Sequence, residues 1–253
     1  MPGAEGTGFR RIGERERLAG GFFQIVTGTF VDPDGFTFER EIVRHPGAVC
    51  VVALEDDASH VLGVRQYRAP VDQLLLELPA GKRDVAGEPA ERCAKRELAE
   101  EAGVEAARWT ELGRFYNSPG FNDEQTIAFL AEVLTPTERE ADGTEERHMT
   151  IERIDLEDLD QLVTSGVIVD AKTIIACQLA RHALDARKRV GPSGNVAFGT
   201  ARDGSAGAAR DGTEPAGPGS GDQGSGDQGS GGAELHVKGP LGVWSRAEGR
   251  SAR

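Results

Sequence analysis

A helix with carboxylates on the face it must bury constrains this chain more than any other feature. Residues 81–104 read GKRDVAGEPAERCAKRELAEEAGV. Pro89 stands where a helix starts and Gly103 where one stops, so a helix is expected over about Pro89–Ala102. At roughly 100° per residue, with Glu97 set at zero, Glu101 falls near +40° and Glu100 near −60°. Ala90, Cys93 and Ala94 fall at about +20°, −40° and +60°, while Lys95 and Arg92 point away at roughly 160° and 220°. The acidic triplet therefore extends a small-residue face turned inward. Like charges at this spacing repel and their desolvation is costly, so the face needs a compensating cation. Oxygen ligands of this kind suit Mg²⁺ or Mn²⁺. Helix geometry alone leaves a second reading open, a solvated acidic helix, and Arg96, one turn before Glu100, fits either.

The surrounding pattern supplies a sheet for this helix to cover. FFQIVTGTFV and FTFEREIVRH flank a DPDG turn at 32–35, and GAVCVVALED and HVLGVRQYRA flank a DDAS turn, so two hairpins are expected. LLLELPA, residues 74–80, is a further apolar run stopped by Pro79 and Gly81. Strands are expected at about Trp109–Tyr116, Gln125–Leu134 and Met149–Ile154. Helices follow in EDLDQLVTSG and DAKTIIACQLARHALDARK. Strands with helices segregated late in the chain predict a mixed sheet flanked by helices.

Glycine and charge divide the chain into a flexible N-terminus at 1–20, one domain at 21–190 and a tail at 191–253. Of 34 glycines, 17 lie in the last 63 residues, where GSGDQ repeats at 219–228 and periodicity is lost. Such a stretch cannot bury enough apolar surface to offset its ordering entropy, and a disordered tether is expected. The tail holds seven acidic and six basic residues, so of the net charge of −13 it carries −1 and residues 1–190 carry −12. That balance argues against nucleic acid as a partner. A phosphate-bearing ligand then requires a metal cation as mediator. No run approaches the length of a membrane span, and Met1–Gly21 lacks the apolar centre of a signal peptide. Cys50, Cys93 and Cys177 are too dispersed for a disulfide framework or a zinc site, and a reduced, cytoplasmic location is expected.

Glu88 to Val104 spells E-x7-R-E-L-x-E-E-x-G-V. This resembles the box of the Nudix hydrolases, G-x5-E-x7-R-E-U-x-E-E-x-G-U with U aliphatic. Six residues rather than five separate Gly81 from Glu88, so the loop before the helix carries one extra residue. The resemblance implies an α/β (α+β) fold, an α/β/α sandwich with a mixed β-sheet, here preceded by an N-terminal strand hairpin. It implies hydrolysis of a nucleoside diphosphate linked to a group X, with Mg²⁺ or Mn²⁺ as cofactor. Glu97 and Glu101 match the family's metal ligands, with Glu100 as a further one and the backbone carbonyl of Ala80 at a position that also binds metal.

Further features resemble the ADP-ribose pyrophosphatase subgroup. Pro119 lies 16 residues after Gly103, LLLELPAGKRDVAGEP occupies 74–89, and QYR and REI occupy 66–68 and 40–42. The resemblance implies that Arg68 and Arg40 contact substrate, and guanidinium forks suit phosphate oxygens. A strand-edge surface charge is the alternative for each. In SPGFNDE, Ser118 and Glu124 match substrate-contacting positions, whereas Phe121 is expected to pack in the core or an interface. An acidic loop, Thr135 to His148, matches the one that supplies the subgroup's general base. EERHMT at 145–150 favours Glu146, with Glu145 as runner-up, and His148 departs from the acid found in some relatives. The subgroup implies a homodimer acting on a small nucleotide substrate, ADP-ribose giving AMP and ribose 5-phosphate. Another nucleoside diphosphate-X, such as a nucleotide sugar or dinucleoside polyphosphate, and a non-catalytic ADP-ribose-binding module stay open as alternatives.

Overall fold

β-Branched and small apolar residues dominate two strands, Ala48–Leu54 (β4) and Gln125–Pro136 (β9), and their burial on both faces sets the architecture. All seven residues of β4 are buried. A computed structural model of the protein describes residues 6–139 and 146–190. The proposed tether at 191–253 lies outside the described residues.

Among the described residues, ten strands and three α-helices follow one another, with β1 at Arg10–Ala19, β2 at Gln24–Val31, β3 at Thr37–Arg44, β5 at His60–Arg68, β6 at Gln73–Glu77, β7 at Ala80–Lys82, β8 at Val104–Tyr116 and β10 at Thr150–Asp155. The helices are α1 at Ala90–Ala102, α2 at Leu159–Thr164 and α3 at Ala171–Val190. β1, β2 and β3 form an antiparallel three-stranded sheet. The second sheet runs β10-β5-β4-β9-β8, with β6 on β5 and β7 on β4. It is mixed, because β4 and β9 are parallel while the other pairs are antiparallel. Both expected hairpins form, yet β4 meets β5 only at Ala53 and Leu54, because the start of β4 is taken by β7.

Strand alternation sorts the core into two layers. Cys50, Val52, Leu54, Ala128 and Leu130 pack with Ala176, Cys177, Ala180 and Ala183 of α3. Val49, Val51, Ala53, Ile127, Phe129 and Ala131 pack with Cys93, Ala94, Leu98 and Ala102 of α1. A mixed sheet with helices on both faces is the expected sandwich. Among the described residues, no helix is long and apolar enough to cross a membrane.

One boundary is corrected. Residues 1–20 are expected to be a flexible N-terminus, but Arg10–Ala19 is a ten-residue strand paired with β2. Nine of its ten residues are exposed, so RRIGERERLA lacks the apolar alternation that would reveal it, and pairing with β2 decides its conformation. The end of β3 is tied to the 118–124 loop. The amide of Val43 donates to the carbonyl of Phe121 at 2.8 Å, and Arg44 pairs with Asp123 at 2.9 Å. Phe121 itself is exposed rather than packed in the core.

Candidate active site

α1 begins after Pro89, whose extended backbone serves as N-cap, and ends at Gly103 with φ +66°, a left-handed conformation that favours glycine. Its buried residues are Cys93, Ala94, Glu97, Leu98, Glu101 and Ala102. The inward face is thus the one the helical projection predicts, and two carboxylates go in with it. Glu97 is 9% exposed and Glu101 4%.

A compensating cation on the same helix is Arg96. Its Nη1 lies 2.8 Å from Glu97 Oε1 and 2.9 Å from Glu100 Oε2, and its Nη2 lies 3.5 Å from Glu88 Oε2. Burial acts to lower the pKa of Arg96, but Glu97 and Glu100 outweigh it and hold the guanidinium above its ordinary range. Cys93 beside it is pushed up to about 12, first by burial and then by Glu97, so it is a neutral core thiol. One arginine among Glu88, Glu97 and Glu100 leaves an excess of negative charge.

Two observations bear on whether a divalent cation fits here. Glu88 Oε2 is buried and has no hydrogen-bond partner, since its approach to Arg96 is at ion-pair distance. Gly81 passes directly over Glu97. A Cβ there would sit 1.8 Å from the carboxyl carbon and 2.1 and 2.2 Å from its oxygens, so only glycine lets the β7 backbone approach this carboxylate. The amide of Ala80 donates to Glu101 Oε2 at 2.9 Å, which places the 80–81 backbone against both buried glutamates. Oxygen donors in excess of positive charge, crowded around a close backbone approach, fit a hard cation. A second acidic group, Glu55, Asp57 and His60, has ligand atoms within 4.8 Å of one another on the β4–β5 turn. Arg153 already pairs with both of its carboxylates, at 2.6 Å from Glu55 and 2.8 Å from Asp57.

The α1 carboxylates open onto a cleft of about 690 Å³. Its lining includes Arg68, Ala80, Glu97, Glu100, Glu101 and Glu124. Of the sequence-predicted residues, these six are brought together. Arg68 makes a fork to Glu77, with Nε to Oε1 at 2.8 Å and Nη2 to Oε2 at 2.7 Å, and that bond raises its pKa. Glu77 is 1% exposed and has a second cation, Lys172, at 3.7 Å. Lys172 also pairs with Asp170 at 2.6 Å. Asp170 accepts from the hydroxyl of Thr173, and that hydroxyl accepts the amide of Leu78 at 3.0 Å. The start of α3 thus clamps the strand that leads into Ala80. Glu124 lies 4.0 Å from His45 Nδ1.

Other predicted residues stand elsewhere. Ser118 is a turn residue whose carbonyl accepts the amides of Phe121 and Asn122, and it is not among the residues lining the cleft. Arg40 lies on β3, its guanidinium 4.7 Å from the Phe38 ring centre, in a separate pocket with Arg15, Arg17 and Thr27. Within one chain the structure does not bring Arg40 to the cleft. The side chain of Glu146 and all of Glu145 lie outside the described residues, although the 146–148 backbone is a short 3₁₀ turn.

Several cleft residues escape the sequence reading: Phe22, His45, Gln66, Lys82 and Lys172 line it, and Glu77 stands behind Arg68. Glu77 had a legible signal, a lone charge inside an apolar run, which requires a buried partner. Gln66 had another, since it shares a strand face with Arg68. Phe22, with Lys82 Nζ 4.8 Å over its ring and His45 edge-on at 5.4 Å, had none, because these residues meet only in the tertiary structure.

Comparison with known proteins bears on the family. A family model described as NUDIX domain matches residues 44–176. The chain is 40% identical over 175 residues to the ADP-ribose pyrophosphatase of Bacillus subtilis (strain 168), covering 65% of this chain and 94% of that protein. It is 38% identical over 176 residues to the ADP-ribose pyrophosphatase of Mycobacterium tuberculosis (strain ATCC 25618 / H37Rv), covering 70% and 84% respectively. A methanol dehydrogenase activator of Bacillus methanolicus is 40% identical over 146 residues, 58% of this chain and 78% of that one. Among solved structures, an ADP compounds hydrolase superposes with TM-score 0.62 at 22% identity, over 70% of this chain and 95% of the other, a likeness of fold.

Proposed function

The chain belongs to the Nudix family, and from that premise we propose that it hydrolyses the pyrophosphate bond of ADP-ribose, giving AMP and ribose 5-phosphate. The observation that carries this reading is the 40% identity across 94% of an ADP-ribose pyrophosphatase, combined with a cleft that gathers the box glutamates and Arg68. Glu97, Glu101 and the carbonyl of Ala80 would hold Mg²⁺ or Mn²⁺, with Glu100 at the open side. Such an ion, when bound, neutralises the pyrophosphate and acidifies an attacking water.

The remaining work belongs to side chains. Arg96 bridges Glu97 and Glu100 and offsets part of their charge. Arg68, locked by Glu77, offers a fixed guanidinium to phosphate oxygen, and holding it in place lowers the ordering cost of binding. Phe22, 47% exposed at the cleft, offers a ring face to a base. Glu146 is assigned as the base that takes the proton from water, with Glu145 as its alternate.

We further infer a homodimer in which the N-terminal sheet of one subunit completes the cleft of the other. Arg40 supports that reading, because it lies outside its own chain's cleft beside two other arginines. Three buried free cysteines suit a reducing compartment, and the cytoplasm is the one proposed.

The test is to incubate the protein with Mg²⁺ or Mn²⁺ and ADP-ribose, nucleotide sugars and dinucleoside polyphosphates, and to identify the products. AMP and ribose 5-phosphate are expected from ADP-ribose, and absence of turnover on every diphosphate sinks the hydrolase reading. Glu101→Gln, which keeps an acceptor for the Ala80 amide, is expected to retain the thermal midpoint and lose turnover.

A further inference from the structure

Gln66 and Arg68 lie two residues apart on β5, so both side chains leave the same face of the strand, and both line the cleft. Their situations differ. Arg68 commits two of its donors to Glu77. Gln66 is 4% exposed, and its amide nitrogen has no hydrogen-bond partner among the described residues. Apart from Arg96 on the acidic helix, it is the only cleft-lining residue with such an orphaned atom among the described residues.

A buried amide donor left unpaired weakens the folded state, and an apolar side chain of similar volume would not. The fold therefore gains nothing from glutamine at this position. Rules of polar satisfaction are broken mainly where a ligand completes them, and this violation sits inside the cavity that the substrate enters. Two cations of the cleft are already paired, Arg68 with Glu77 and Lys172 with Asp170. A carboxamide adds a donor without adding charge.

We propose that Gln66 is a substrate-binding residue whose carboxamide donates an N–H to an acceptor oxygen of the bound nucleotide, either on phosphate or on a sugar hydroxyl. The proposal rests on the hydrolase reading for the identity of the substrate.

Two variants of the full chain, Gln66→Leu and Gln66→Met, test it, the second securing the result where the first does not fold. Calorimetric titration with ADP-ribose and with AMP, metal removed by chelator, measures affinity without turnover. Thermal midpoint and steady-state rates with Mg²⁺ are recorded alongside. The expected result is a thermal midpoint equal to or above wild type, affinity for ADP-ribose weakened about tenfold, and KM raised with kcat within about twofold. Equal weakening toward AMP places the oxygen on the shared nucleotide. Weakening confined to ADP-ribose places it on the terminal ribose phosphate. Unchanged affinity and KM in a folded variant overturn the proposal. A wild-type chain that binds ADP-ribose without cleaving it overturns the hydrolase reading alone, and the affinity comparison then still decides the role of Gln66. A wild-type chain that binds neither nucleotide without metal and does not cleave ADP-ribose with Mg²⁺ overturns both.

Discussion

Replacing Gly81 with alanine perturbs the proposed metal site by one methyl group. The added Cβ would lie 1.8 Å from the Glu97 carboxyl carbon, where real Cβ contacts stop at 3.0 Å, so the carboxylate must retreat by about 1.2 Å. Gly81 is extended backbone in β7 rather than left-handed, and alanine is conformationally acceptable there. The obstructing atoms are the far end of a flexible side chain, so Glu97 yields before the sheet does. Folding stability should therefore fall by no more than about 1 kcal/mol. Metal coordination is less forgiving, because Mg²⁺ demands ligand oxygens at about 2.0–2.1 Å in near-octahedral array. A displacement of this size at a catalytic group costs on the order of 10²-fold in rate, about 2.7 kcal/mol of barrier. The assay is AMP release from ADP-ribose across a Mg²⁺ titration, with thermal unfolding of the same samples. Gly81→Ala should unfold within a few degrees of wild type, need more Mg²⁺ for half-saturation and lose about two orders of magnitude in kcat. A kcat and Mg²⁺ requirement within threefold of wild type would refute the assignment of Glu97 as a ligand. A collapse in thermal midpoint would refute the claim that its carboxylate yields before the sheet.

Two further expectations concern the network behind Arg68. Glu77→Gln removes the buried anion that pairs Arg68 and approaches Lys172, and should cost about 2 kcal/mol, below the usual loss for a broken buried pair because Arg68 is partly solvated. KM for ADP-ribose should rise with it, and unchanged denaturant midpoint and KM would show that the fork does not position Arg68. In the Asp170–Lys172 pair, burial opposes both charges, yet the partners win: Asp170 is held below its ordinary 3.8 and Lys172 above its ordinary 10.5. The Asp170 contribution is present above pH 3.8 and lost as pH falls through its lower folded value, while that of Lys172 is present below 10.5 and lost as pH rises through its higher one. Asp170→Asn, a neutral mimic, should unfold at lower temperature than wild type at pH 7, the gap closing as pH falls from 3.8 through the lower folded value. A temperature gap that stays constant with pH would count against the pairing.

Legibility in the sequence followed the range of the interaction that fixes each element. α1 was readable because Pro89, Gly103 and the spacing of Ala90, Cys93, Ala94 and Leu98 are local signals, and its burial pattern follows the projection. The two-sided burial of β4 was readable from an unbroken apolar run. β1 was not, because RRIGERERLA carries no alternation and is ordered by its partner strand. Arg40 and Arg68 looked alike as arginines on strands. One is paired with buried Glu77 in the cleft and the other lies on a sheet outside it, a difference set by which sheet each strand joins.

The sequence by itself determined the family and the acidic face of α1, since both rest on residues close together along the chain, where helical period and motif spacing are fixed by covalent geometry; the ADP-ribose reading drew on motifs spread from Arg40 to Glu146. Tertiary structure alone decided what surrounds that face. It brought Gly81 onto Glu97, seated Arg96 among three glutamates, buried Glu77 between Arg68 and Lys172, and left the Gln66 amide unpaired in the cleft. These contacts join segments far apart in sequence, and their energies depend on burial, which no local pattern encodes.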